Sequence, residues 1–323
     1  MMPVQDRVRW GLLGTGAINA KLLAGAHLSS ALEVVAVGSR TAERARAYAD
    51  QHGIPRALAS YEALLADPDI EAVYISLPNG MHHEWTMRAI AAGKHVLCEK
   101  PYSRYPSEVS EAFDAAAAAG VVLQEAFMWR HSPQTRRLLE LLPQIGELLN
   151  IRATFSFAIA DQSDIRLSEK LKGGSLMDVG CYCVSGSRLL AGAEPDSVHG
   201  EQVMGPSGVD VGFTGLLHFP SGVTSVIVSG FRSDHQGLEA IGTRGSIRVP
   251  DPWHSRAGVI VCNDEEVRLD AGNPYHAELE NMCAAIRGTA APHLGRADAL
   301  GQSRTIEALY RSADTGQAVT LER

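Results

Sequence analysis

Between residues 8 and 123, short apolar, β-rich runs alternate strictly with amphipathic helical stretches, and this alternation constrains the fold more than any other feature of the chain. Strands are expected at 8–13, 32–37, 72–77, 95–98 and 121–124, with helices at 17–28, 42–51, 61–66, 82–92 and 106–119. Strands separated by helices form parallel βαβ units with right-handed crossovers, which makes a doubly wound α/β sheet. Beyond about residue 125 the grammar changes. After a helix at 133–142, strand-like runs follow at 148–160, 212–219, 223–231, 237–241, 246–249, 259–262 and 267–269. Turns such as Pro220-Ser221-Gly222 and Arg244-Gly245 join them, so an α+β region with a large, open, mainly antiparallel sheet is expected, closed by helices at 275–287 and 298–312. A chain of 323 residues suits two domains of roughly 150 residues, divided here into 1–125 and 126–323.

The first strand runs directly into Gly11-Leu12-Leu13-Gly14-Thr15-Gly16-Ala17-Ile18 and then a helix. Glycines at a strand-to-helix turn let backbone approach a pyrophosphate, whose charge the helix N-terminus favours. The first domain therefore reads as a Rossmann dinucleotide-binding domain, with Gly14, Thr15, Gly16, Ala17 and Ile18 at the phosphates. Asn19 stands where this turn usually carries a third small residue, a departure expected to loosen helix packing slightly. The end of the second strand decides which dinucleotide binds. An NAD site needs an acidic residue there for the ribose hydroxyls; this chain has Ser39 and Arg40, with Arg44 one turn later. A hydroxyl and guanidinium groups suit the 2′-phosphate of NADP, with NAD as the alternative and a solvated helix-start arginine as the non-functional reading.

The carboxyl ends of the strands at 72–77 and 95–98 carry Leu77-Pro78-Asn79-Gly80-Met81-His82 and Glu99-Lys100-Pro101, at the edge where ligands bind such a sheet. Further on, Gly173-Gly174-Ser175-Leu176-Met177-Asp178 leads to Tyr182, and on a helix Asp178 and Tyr182 share one face. Taken alone, Lys100 reads equally as a surface charge, Asp178 as a helix-start carboxylate and Tyr182 as a core aromatic.

As a set, the glycine turn, Pro78-Asn79 with His82, Glu99-Lys100-Pro101 and the Gly173–Tyr182 run resemble the glucose–fructose oxidoreductase, inositol dehydrogenase and rhizopine-catabolism (Gfo/Idh/MocA) family over nearly the whole chain. Glu125-Ala126-Phe127-Met128-Trp129-Arg130-His131 and Tyr182 are similar to the branch of NADP-dependent aldose dehydrogenases and dimeric dihydrodiol dehydrogenases. The resemblance implies a catalytic group of Lys100, Asp178 and Tyr182, with Trp129, Arg130 and His131 beside the substrate. It also implies cofactor contacts from Leu77, Pro78, Asn79, His82, Glu99 and Lys100, and often a cis bond before Pro101. Hydride transfer to a carbonyl needs a proton donor for the developing alkoxide, a task open to lysine or tyrosine, with an aspartate to orient them. The expected activity is NADP(H)-dependent oxidation or reduction of a sugar or polyol. Alternatives are a nucleotide-sugar ketoreductase, an inositol or dihydrodiol dehydrogenase, and a regulator that binds the dinucleotide without turnover.

Other classes are disfavoured by composition. Lys+Arg total 29 against 37 Asp+Glu, a net charge of −8 with no basic patch, which argues against nucleic acid as a partner. No apolar run approaches the ~18 residues of a membrane span. Arg7, Arg9 and a glycine-broken apolar stretch are not expected to act as a signal peptide, and five scattered cysteines read as reduced thiols with no metal-site spacing. A cytoplasmic location is therefore expected. The run at 212–231 alternates apolar residues onto two faces of a sheet, of which one helix layer covers one, so a homo-oligomer (dimer or tetramer) is expected.

Overall fold

The computed structural model describes residues 7–270 and 272–321. The first elements in chain order are β1 (Val8–Leu13), α1 (Asn19–Ala26), β2 (Leu32–Gly38), α2 (Ala42–His52), β3 (Arg56–Leu58), α3 (Tyr61–Leu65), β4 (Ala72–Ile75), α4 (His82–Ala91), β5 (His95–Glu99), α5 (Pro106–Ala119) and β6 (Leu123–Ala126). There follow α6 (Pro133–Leu141), β7 (Leu148–Ser156), α7 (Cys181–Ala191), β8 (Ser197–Met204), β9 (Asp210–His218), β10 (Thr224–Gly230), β11 (His235–Gly242), β12 (Gly245–Val249), β13 (Val259–Cys262) and β14 (Glu265–Arg268). The last are α8 (Pro274–Ile286), α9 (Arg296–Thr315) and β15 (Val319–Thr320). Two compact units result. One takes the chain up to Ser103, Ser107–His131 and Asn273–Ala299; the other takes Arg104–Pro106, Ser132–Gly272 and the chain from Leu300 on.

The first unit is built on a six-stranded sheet in the order β3-β2-β1-β4-β5-β6, with every pair parallel. Helices cover both faces of such a sheet, so β1, β4 and β5 are buried almost end to end, which is why they read as continuous apolar runs. The strand order reverses between β1 and β4, and that switch point opens a crevice at the carboxyl ends of the strands. The added edge strand β3 has only three residues, too few for a periodic signal. Although α8 lies far along the chain, it belongs to this unit, where Arg287 just beyond its end pairs with Glu71 at 2.8 Å and Glu280 bonds Ser29.

The second unit holds a nine-stranded sheet in the order β14-β13-β12-β11-β7-β10-β9-β8-β15. Seven of its pairs are antiparallel; β7 and β10 pair in parallel, because the segment containing α7 carries the chain from β7 over the two places that β10 and β9 later fill to β8, from which β9 and β10 return by short turns. Ile151, Ala153 and Phe155 of β7 and Ile227 of β10 are buried on the face that α7 covers, where Ser187 on the helix bonds Ser225 on β10 at 2.7 Å. Alternate residues point to the other face, and there Val226 and Val228 remain 37% exposed beside the Arg152–Glu239 pair. All five cysteines are buried and none is in a disulfide. Among the described residues, no helix is long and apolar enough to cross a membrane.

Candidate active site

In the first unit, the β1-to-α1 turn places Gly14, Thr15, Gly16, Ala17 and Ile18 at the switch point. Gly14 has φ +111°, open in practice only to glycine, and a Cβ on Gly16 would lie 3.0 Å from the Ser76 carbonyl. Asn19 is bonded into this turn. It is fully buried and its Nδ2 donates to the Gly14 carbonyl at 2.9 Å, so the residue that departs from the usual glycine pattern fastens the loop it follows. Asn19→Ala should leave that buried carbonyl unpaired and cost about 1–3 kcal/mol, seen as a lower urea midpoint of the purified protein.

Helix α1 has no side-chain cap and no acid in its first turn, so its N-terminal dipole stands uncompensated by the chain itself. The Ser76 hydroxyl, buried without a hydrogen-bond partner, sits 3.4 Å from the Cβ position of either Gly14 or Gly16. At the end of β2, Ser39 is buried and Arg40 exposed, and Arg44 reaches back from α2 to the Thr15 hydroxyl at 3.4 Å. Burial raises the pKa of Tyr61, while Arg40 and Arg44 pull it down, so both guanidinium groups gather on the β2 side of the crevice. Exposed cations, an uncapped helix start and an orphaned hydroxyl around a glycine turn fit a phosphorylated dinucleotide.

The next strand ends hold Lys100. Leu77, Pro78 and Asn79 lead into α4, where His82 is buried with Nε2 2.7 Å from the Leu77 carbonyl and Nδ1 2.9 Å from the Pro101 carbonyl. Burial lowers the His82 pKa against the pull of those two carbonyls. This ring clamps one strand-end loop to the next, and the Lys100–Pro101 peptide bond, one residue before the carbonyl it meets, is cis. Glu99 accepts from the Lys100 N–H at 3.2 Å and from the Tyr74 hydroxyl, while Tyr102 N–H donates to buried Glu125 at 2.8 Å. Trp129 is buried, Arg130 pairs with Asp298 at 3.2 Å, and the His131 pKa falls to about 3 through burial and then the nearby His293 and Arg130. At neutral pH His131 is therefore an uncharged ring.

In the second unit, Asp178 lies in a π-helical turn, Leu176–Gly180, that runs into α7, and Tyr182 stands at the second residue of that helix. The wider turn has a fixed start. Buried Asp210 accepts from the Ser175 hydroxyl and the Leu176 N–H, each at 2.7 Å, and from the Tyr310 hydroxyl at 2.8 Å. Asp178 is met by the Arg166 guanidinium, Nε to Oδ2 at 2.9 Å. Around Tyr182 stand Phe155, edge-on with centroids 5.4 Å apart, and Trp253 at 5.9 Å; His254 in turn packs edge-on against Phe155. Arg166, Phe155, Trp253 and His254 were not among the expected site residues. They are scattered between positions 155 and 254, and the one local cue is a tryptophan and histidine directly after Asp251-Pro252.

A parallel sheet in this order, with a glycine turn at its switch point, defines a dinucleotide-binding oxidoreductase fold. The chain belongs to the Gfo/Idh/MocA family. Residues 8–127 match its model for an oxidoreductase family with an NAD-binding Rossmann fold, and residues 137–248 match the GFO/IDH/MocA C-terminal domain. The sequence is 39% identical to D-xylose 1-dehydrogenase (NADP(+)) 2 of Haloferax volcanii, over 97% of this chain and 99% of that protein. Among solved structures, an aldose-aldose oxidoreductase from Caulobacter crescentus complexed with glycerol superposes with a TM-score of 0.90 at 27% identity, covering 98% of this chain and 100% of the other. A 3-ketoreductase from Actinomadura kijaniata, in complex with NADP and TDP-benzene, does so with a TM-score of 0.90 at 28% identity, covering 95% and 98%.

Proposed function

We propose that the protein is an NADP(H)-dependent sugar dehydrogenase, exchanging hydride between the nicotinamide and a CH–OH or C=O carbon of an aldose or related polyol. The observation that carries this reading is the end-to-end similarity to a D-xylose 1-dehydrogenase, 39% identical over 97% of the chain. The basic end of β2 supports NADP within it. Gly14, Thr15, Gly16, Ala17 and Ile18 would hold the pyrophosphate; Ser39, Arg40 and Arg44 the 2′-phosphate; and Leu77, Pro78, Asn79, His82, Glu99 and Lys100 would line the nicotinamide half. The bound dinucleotide supplies or accepts the hydride. Of the chain's own groups, Lys100 and Tyr182 exchange a proton with the reacting oxygen, and Asp178 orients and electrostatically tunes them. Trp129 and Arg130 are assigned to the substrate side.

The experiment is a panel of aldoses, inositols and diols, each offered with NADP⁺ and with NAD⁺ while the absorbance of the reduced ring is followed. Turnover of aldoses with NADP⁺ supports the reading, and turnover of diols or inositols alone replaces its substrate class. No reduction with any member, alongside tight NADP(H) binding, would favour a regulator.

The outer face of the nine-stranded sheet supports a homodimer. Val226, Val228 and Leu216 lie together there beside the polar pair Arg152 and Glu239, a mixed surface of the kind that self-associates about a two-fold axis. Light scattering at micromolar concentration should give twice the 34.6 kDa chain mass, and a monomer mass would refute it. A reducing compartment, the cytoplasm, suits five cysteines of which none is in a disulfide.

A further inference from the structure

The loop before the Gly173–Tyr182 run holds the helix that carries Asp178 at two points, and both belong to Arg166. Its backbone carbonyl accepts from the Gly174 N–H at 2.8 Å, and a Cβ on Gly173 would stand 2.2 Å from that same oxygen. The Gly-Gly pair is thus the gap into which the Arg166 peptide fits. Its side chain then reaches forward, with Nε donating to Asp178 Oδ2 at 2.9 Å. The guanidinium is held from the other side by Asp164, which accepts from Nη1 at 3.2 Å and 3.3 Å and from the Arg166 N–H at 2.9 Å. The Phe157 ring lies 5.7 Å from Cζ. Two carboxylates, a backbone lock and an aromatic ring fix the fork in one pose. The side chain is still 41% exposed, and Nη2 makes no hydrogen bond to any described residue.

We infer that Arg166 is a positioning residue for Asp178, holding its carboxylate in one pose, and that its free Nη2 edge presents donors to a hydroxyl of the polyhydroxylated substrate. The inference rests on the catalytic assignment of Asp178 above. A planar guanidinium can grip Asp164 and Asp178 at once and still offer an N–H, which a lysine ammonium on a flexible stem cannot do in one geometry. A stray surface ion pair would instead be worth little and would tolerate replacement.

The test compares wild type, Arg166→Gln, Arg166→Lys and Arg166→Ala with the sugar that turns over fastest. Arg166→Gln should lower kcat by about 10- to 100-fold and raise KM for the sugar several-fold, with the NADPH dissociation constant and thermal midpoint near wild type. Arg166→Lys should recover only a small part of kcat. Guanidinium chloride at millimolar, non-denaturing concentration should restore part of the activity of Arg166→Ala and none to Asp178→Asn, a rescue that a loop brace would not show. An Arg166→Gln enzyme with kcat and KM within about two-fold of wild type would overturn the inference. If wild type turns over no sugar, the activity reading fails on its own, and Arg166 is judged by the Asp178 carboxyl carbon in a ¹³C spectrum assigned with Asp178→Asn. Its titration midpoint should rise by about one pH unit or more in Arg166→Gln, as expected when an adjacent cation is lost. An unchanged midpoint would refute the positioning role.

Discussion

Lys100→Met is expected to lower kcat by at least ~100-fold while leaving NADP(H) affinity within a few-fold, because it removes a positioned acid or base. The backbone around Lys100 is held by neighbouring side chains. The Lys100 N–H is held by Glu99, and Glu99 in turn by the Tyr74 hydroxyl, whose pKa burial first and then the Glu99 charge push well up, so that it stays a donor. On the far side, the Pro101 carbonyl is gripped by His82 and the Tyr102 N–H by Glu125. These contacts hold the backbone of the segment. A methionine side chain of similar length should therefore occupy the same place with the same backbone, and the thermal midpoint should report that. Loss of kcat at constant midpoint and constant cofactor affinity assigns the proton to Lys100. A kcat within three-fold of wild type would move the acid–base role elsewhere, with Tyr182 first in line.

The strand-end loops that carry Lys100 were legible because buried parallel strands write themselves as apolar runs and their ends follow by counting. The glycine turn was legible for the same reason, being a local motif in a local unit. Signals faded where structure depends on distant partners. Ser197–Met204 carries histidine, glycine, glutamate and glutamine, and it becomes β8 through its pairing with β9, with only the two-residue β15 on its other side. The parallel partnership of β7 with β10 joins residues some 74 apart, and turn chemistry speaks only for neighbours in sequence. The candidate site shows the same limit. Asp178 and Tyr182 lie in a run with a recognisable pattern, whereas Phe155 and Trp253, 6.2 Å apart around Tyr182, come from β7 and from the loop after β12. Asn19 teaches the opposite lesson: a departure from a glycine pattern became a buried hydrogen bond to the Gly14 carbonyl, which a rule about small residues could not foresee.

Arg40→Ala should weaken NADP(H) binding by about one to two decades and leave NAD(H) within a few-fold. Hydrogen bonds to a charged group contribute roughly 1.5–3 kcal/mol, which is about 10- to 150-fold in affinity at 1.4 kcal/mol per decade. NAD has no 2′-phosphate, so it has nothing to lose when the guanidinium goes. Arg40 is suited to a ligand rather than to the fold, being exposed at the end of β2, whereas its neighbour Ser39 is buried. Arg44 has a second task, since its Nη2 meets the Thr15 hydroxyl at 3.4 Å and its N–H caps on Thr41. Arg44→Ala should accordingly cost both cofactors something, through the shape of the glycine turn, and so serves as the contrast. Because Arg40 stands in solvent, raising the ionic strength should shrink the wild-type preference for NADP(H) in the same direction as the mutation. Calorimetric titration of both cofactors into wild type and Arg40→Ala decides the matter. Equal losses for the two would make Arg40 a support of the loop, and a wild-type preference for NAD(H) would show that the basic end of β2 serves some other anion.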